Sequence, residues 1–157
     1  MELILPAATP ALRHHPRAEV VAAARSWLAT PYHHQASVRG VGCDCLGLVR
    51  GVYRDLYGRE PEDVPAYSRD WTETATSEPL LTAALRHFRP ADDRPPSAGD
   101  LLVFRFRAGS MAKHLAIATD PQRMIHAVET AAVREVALSP WWRRRLAGTF
   151  SFPGSID

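Results

Sequence analysis

At Gly99 the apolar residues of this chain change their period, and that switch constrains the fold more than any other feature. Before it they recur at helical spacing. Val20, Ala23, Ala24 and Trp27 form one set, Leu48, Val49, Val52 and Leu56 a second, and Leu80, Leu81, Ala84, Leu85 and Phe88 a third. Each set predicts a helix with one buried stripe. After Gly99 come short strand-like runs: 101–104, 114–118, 124–128, 132–137 and 149–152. Gly109-Ser110, Asp120-Pro121 and Ser139-Pro140 supply the turns between them. Helices first and an antiparallel sheet second is an α+β pattern.

Local punctuation places the boundaries. Pro16 suits the first turn of a helix from about Arg17 to Leu28, which Thr30-Pro31 stops. Residues 32–42 read as loop. Asp44 can cap a helix from Cys45 to Tyr57, closed by Gly58. Residues 59–76 carry no period and read as a long surface loop, in which Tyr67, Arg69, Asp70 and Trp71 could border a cleft. The first fifteen residues are aperiodic and contain Pro6 and Pro10. They predict an extended arm over 1–15, followed by one domain over 16–157, a length that suits a single core.

Composition removes several function classes. Hydrophobic residues make up 46% and charged residues 23%, an ordinary globular balance. Basic side chains number 19 against 17 acidic, too even for an electrostatic nucleic-acid binder. No apolar run approaches the ~20 residues of a membrane span. The first six residues lack a basic region and stop at Pro6, so no secretory signal is expected.

The chemistry centres on Cys43 and Cys45. A disulfide across one residue would be badly strained. Cys45 falls at the first turn of the second helix, where unpaired N–H groups and the helix dipole favour thiolate. It could equally be a small buried residue. Cys43 reads as a packed bystander, with a metal pair as the alternative, although this spacing suits few tetrahedral sites. Of the seven histidines, His114 and His126 fall in apolar strands, where an unpartnered imidazole would be costly. Cysteine, a histidine base and a second polar residue to orient it make a nucleophilic triad. Two independent core histidines are the alternative. Trp141-Trp142 with the following arginines could grip anionic glycan or nucleic acid, but packing on the sheet, with the arginines facing solvent, is the plainer reading. The other five histidines read mostly as solvated surface.

Asp44-Cys45-Leu46-Gly47-Leu48-Val49 resembles the Asp-Cys-Ser-Gly-Leu-Val signature of the NlpC-type papain-like peptidoglycan peptidases. Trp27 to Tyr32, Gly99 to Phe104, His114 to Ile117 and Met124 to Ala127 resemble further family segments in the same order. The likeness covers about residues 17 to 152. It implies a papain-like fold, with the nucleophile at a helix start packed on an antiparallel sheet. It implies Cys45 as nucleophile, His114 as base and His126 as the residue orienting it. Tyr32 is implied beside the oxyanion, with Asp44 at the same site, and neither metal nor organic cofactor is implied. The implied substrate is a peptidoglycan stem peptide, cut next to γ-D-glutamate. Leu46 stands where the family has Ser, a residue that helps recognise the substrate's amino terminus.

Residues 32–35 and 42–45 most resemble the branch encoded among tail genes of phages and gene transfer agents. That likeness predicts a cytoplasmically made virion component, acting in the periplasm of a target cell. Tail-tip or hub proteins are its expected partners, tethered through residues 1–15. Only five residues follow Phe152, so no wall-binding module is expected there. Alternatives on the same likeness are a structural tail component with a vestigial site, or an amidase or acyltransferase.

Overall fold

The computed structural model describes residues 14–68 and 77–157. Helices α1 (Arg17–Arg25), α2 (Cys45–Tyr57) and α3 (Pro79–His87) come first, and a short α4 (Pro140–Arg143) follows late. Strands β1 (His15–Pro16), β2 (Ser37–Val38), β3 (Gly42–Cys43) and β4 (Arg89–Pro90) are two-residue pieces, as is β10 (Ser155–Ile156). The long strands are β5 (Asp100–Phe104), β6 (His114–Asp120), β7 (Arg123–His126), β8 (Arg134–Ala137) and β9 (Leu146–Ser151). Six of these form one antiparallel sheet in the order β4-β9-β5-β6-β7-β8. The α+β arrangement expected from the period switch is observed, and so is the packing of helices on an antiparallel sheet that the papain-like resemblance implied.

Alternation along the strands sends side chains to two covered faces. Leu101, Val103, Leu115, Ile117 and Ile125 pack with Val20, Ala24, Leu48 and Val52 of α1 and α2. Leu102, Phe104, Ala116, Ala118 and Met124 pack on the opposite face with Leu138, and Trp142 lies against them. Both faces being covered, the strands read in sequence as unbroken apolar runs. Helix α2 packs closely on Trp27, just beyond α1, because Gly51 has no side chain: a Cβ there would stand 2.0 Å from the Trp27 indole. Trp27 also donates from Nε1 to Asp55 Oδ2 at 2.9 Å.

Several boundaries differ from the sequence reading. Helix α1 ends at Arg25 rather than Leu28. The chain then turns through Ala29 at φ 69°, whose N–H donates to Val133 O at 2.8 Å. His15 is buried, not part of a free arm. It pairs in parallel with Ser155, and its Nε2 lies 2.7 Å from Tyr57 Oη and 3.0 Å from Pro153 O. The loop over 32–42 contains the small β2–β3 hairpin. Residues 1–13 of the expected arm, with Leu3, Ile4 and Leu5, lie outside the described residues, as do Arg69, Asp70 and Trp71.

Candidate active site

Asp44 sets the local geometry. Its backbone is extended just before the helix, and its Oδ1 accepts from Gly47 N at 2.7 Å, capping the N-terminus of α2 so that Cys45 is the first helical residue. Gly47 lets the preceding loop lie on this turn: a Cβ there would meet the Ala36 carbonyl oxygen at 1.8 Å. Asp44 Oδ2 accepts from Gln35 N at 2.8 Å and from the Tyr67 hydroxyl, and His34 Nδ1 stands 3.9 Å away. The Tyr67 carbonyl in turn meets His34 Nε2 at 2.9 Å and accepts from the Gln35 side chain. One buried carboxylate therefore joins the helix start, the 32–35 segment and the loop before residue 69.

Cys45 is partly exposed in a cleft of about 100 Å³ shared with Tyr32, His34, Asp44, Tyr67, Lys113 and Glu129. Its Sγ makes a hydrogen-bond contact with the Lys113 carbonyl oxygen at 4.0 Å. Burial, and then the Asp44 carboxylate, push the thiol up to about 12. Backbone N–H groups at Cys45, Leu46 and Leu115 act in the opposite sense and are outweighed. The helix start thus favours thiolate as expected, but desolvation reverses the outcome. At rest the Cys45 thiol is neutral. Cys43 is fully buried and packed in the core, where burial raises its thiol too.

His114 opens β6 and His126 ends β7. Ile117 pairs with Ile125 and Ala118 with Met124, so the phases of the two strands agree and both histidines share the face of Ala116 and Met124. They are diagonal neighbours, and His114 Nε2 lies 2.9 Å from His126 Nδ1. This pair is one unit, not two independent core histidines. Trp142 of α4 stacks on His114 with centroids 5.4 Å apart and planes at 27°, while Phe106 lies 5.6 Å from the same ring. Burial, reinforced by His126, holds His114 well below the usual imidazole range. Burial and the facing Arg134 do the same to His126.

The cleft wall thus brings Cys45, Tyr32 and Asp44 together. His114, paired with His126, directly follows Lys113, whose carbonyl oxygen meets the Cys45 thiol. Lys113, His34 and Glu129 also line the cleft, and this was not legible in the sequence, because their positions arise from contacts across the fold. Trp142 packs on the sheet as expected, and the Arg145 guanidinium lies 3.7 Å from the Trp141 ring centroid. Among the described residues no three His, Cys, Asp or Glu side chains converge as a metal centre, and no helix is long and apolar enough to cross a membrane.

The sequence model of the NlpC/P60 family matches residues 29–150. This chain belongs to the NlpC/P60 family. The family comprises cysteine peptidases that hydrolyse peptidoglycan. An NlpC/P60 protein of Bacillus cereus ATCC 10987 superposes with a TM-score of 0.63 at 18% identity, covering 90% of this chain and 41% of that one. The NlpC/p60 domain of the peptidoglycan hydrolase SagA gives 0.58 at 23% identity, covering 88% of this chain and all (100%) of that domain. NlpC1 of Trichomonas vaginalis gives 0.58 at 15% identity, covering 90% and 45%. This NlpC/P60 chain therefore spans under half the length of the Bacillus and Trichomonas proteins, and these likenesses carry the fold alone. No curated protein sequence matches it.

The neutral imidazoles and thiols make stability depend on pH. Unfolding releases His114 and His126 to the ordinary value of 6.5, so below that pH the unfolded chain binds protons that the fold refuses. Stability is expected to fall as pH drops from about 6.5. Below the ordinary 4.5 the lowered carboxyls of Glu62, Glu78 and Glu135 add to the loss. Above about 9.0 the unfolded thiols of Cys43 and Cys45 ionise while the folded ones do not, and stability falls again. Thermal midpoints measured from pH 4 to 10 should show this plateau. The His114→Gln, His126→Gln double variant should remove the histidine part of the acid slope from about 6.5 down to about 4, leaving the carboxyl part in place.

Proposed function

We propose that this protein is a cysteine endopeptidase that cuts peptidoglycan stem peptides next to γ-D-glutamate. The hydrogen-bonded His114–His126 pair at 2.9 Å, beside a cysteine at a helix start, carries the reading. With His114 protonated on Nε2 and donating to His126 Nδ1, its Nδ1 keeps a lone pair and can accept a proton. The thiol turns from the Lys113 carbonyl to that nitrogen, and Sγ attacks the scissile carbonyl carbon as the proton moves to His114. The tetrahedral oxyanion forms near the Cys45 N–H and the Tyr32 hydroxyl. His114 then protonates the leaving amine, giving a thioester. Water adds to the thioester, giving its proton to His114, and collapse releases the acid and restores the thiol.

We further propose delivery by a phage-like or gene-transfer-agent tail, with synthesis in the cytoplasm and action in the target's periplasm. The two segments that resemble that branch form one unit: Tyr32 bridges Cys43, His33 N donates to Cys43 O at 3.0 Å, and Gln35 N binds Asp44. Purified peptidoglycan digested with the enzyme should yield muropeptides newly ended at γ-D-glutamate by mass spectrometry. Glycan-chain cleavage alone, or no release, would overturn the peptidase reading. Deleting residues 1–12 should remove the protein from purified particles while digestion of soluble fragments persists; full occupancy would overturn the tether.

A further inference from the structure

We infer that the cleft continues past Leu46 into a specificity pocket that takes an uncharged apolar substituent of the substrate. The inference rests on the cysteine peptidase reading. A pocket of about 270 Å³ is lined by Leu46, Val64, Pro65, Leu80 and Ala83 beside Tyr67. It shares Leu46, Tyr67 and Leu80 with the cleft over Cys45. Leu46 follows the nucleophile in the first turn of α2, so the pocket begins one residue from the reacting sulfur. Any substrate placed for attack must present its neighbouring group to this wall. The volume suits one side chain or a short acyl chain rather than a whole ligand.

The pocket is preformed. Its outer wall, residues 60–67, is pinned at three points. Glu60 is bound by Arg50 at 3.1 Å and Arg54 at 2.7 Å. Glu62 is bound by Arg86 at 3.0 Å and faces His87 at 3.1 Å. The Tyr67 hydroxyl is held by Asp44 and its carbonyl meets His34. Little ordering entropy is left to be lost on binding. The Glu62 carboxylate is committed to Arg86 and His87, so it does not hold a cation in the pocket. A charged group would be stripped of water against Leu46, Leu80 and Ala83. Of the two acidic residues described at the lining, Asp63 is exposed and Glu62 is already paired with Arg86 and His87.

Alkylation of Cys45 in the full chain tests this without requiring any peptidoglycan cleavage. The probes are iodoacetamide, N-hexyl iodoacetamide and 2-bromoethylamine, each rate divided by that with free cysteine. The hexyl reagent should label Cys45 at least about tenfold faster than iodoacetamide, the scale of discrimination an apolar pocket supplies. 2-Bromoethylamine should show no such gain. Ala83→Asp and Leu46→Ser, each read against its own iodoacetamide rate, should bring the ratio close to one. On the unmodified chain, hexanamide should slow labelling by iodoacetamide while acetamide at the same concentration does not. A hexyl ratio near one, a preference for the cationic probe, or equal protection by the two amides would overturn the pocket. A hexyl preference without peptidoglycan digestion would leave the pocket standing and remove the peptidase reading.

Discussion

Cys45→Ala is expected to abolish digestion of peptidoglycan, a loss of at least about 10³-fold, while the fold persists. The helix cap does not use the thiol: Asp44 bonds to Gly47 N, and the Cys45 side chain faces the cleft. Unchanged thermal midpoints should accompany the loss. Cys43→Ala should behave in the opposite way, keeping most activity and costing about 1 kcal/mol of stability as a small buried sulfur is removed. Iodoacetamide should label Cys45 and spare Cys43, because Cys43 is 0% exposed. Labelling of Cys45 should climb with pH from 7 to beyond 9, since the resting thiol is pushed up to about 12. A rate already level at pH 7 would show a preformed thiolate and refute the neutral resting pair.

His114→Ala should lower turnover by about 10²–10⁴-fold, the usual contribution of a positioned acid-base group. Without the imidazole the thiol has no acceptor and the leaving amine no donor. His126→Ala should cost less, because Trp142 stacks on the His114 ring and keeps part of its orientation. His126→Gln should cost less still, since its amide can offer an acceptor to His114 Nε2. Steady-state rates on a soluble stem peptide measure the series. A His126→Gln enzyme as impaired as His114→Ala would mean that His126 does more than orient.

Features settled within a few residues of chain were legible. Asp44 as cap, Cys45 as first helical residue and Gly58 as left-handed terminator were all readable, because each depends on backbone groups one turn away. The change of apolar period at Gly99 sufficed for the α+β class. The pairing of His114 with His126 was readable as far as a turn at Asp120-Pro121 and matching strand phase allow.

What the sequence by itself determined was the order of elements, the helix start that carries the cysteine, and the strands that carry the histidines. These follow from periodicity and capping, which act locally. The tertiary structure alone fixed the turn after α1, where the Ala29 N–H donates to the distant Val133 carbonyl. It alone buried His15 against Tyr57 and Pro153, and tied Tyr67 to Asp44 across the cleft. It also reversed the expected ionisation of Cys45. The helix dipole acts within a turn and can be read from spacing, whereas desolvation depends on every residue packed around the sulfur, and no local pattern encodes that environment.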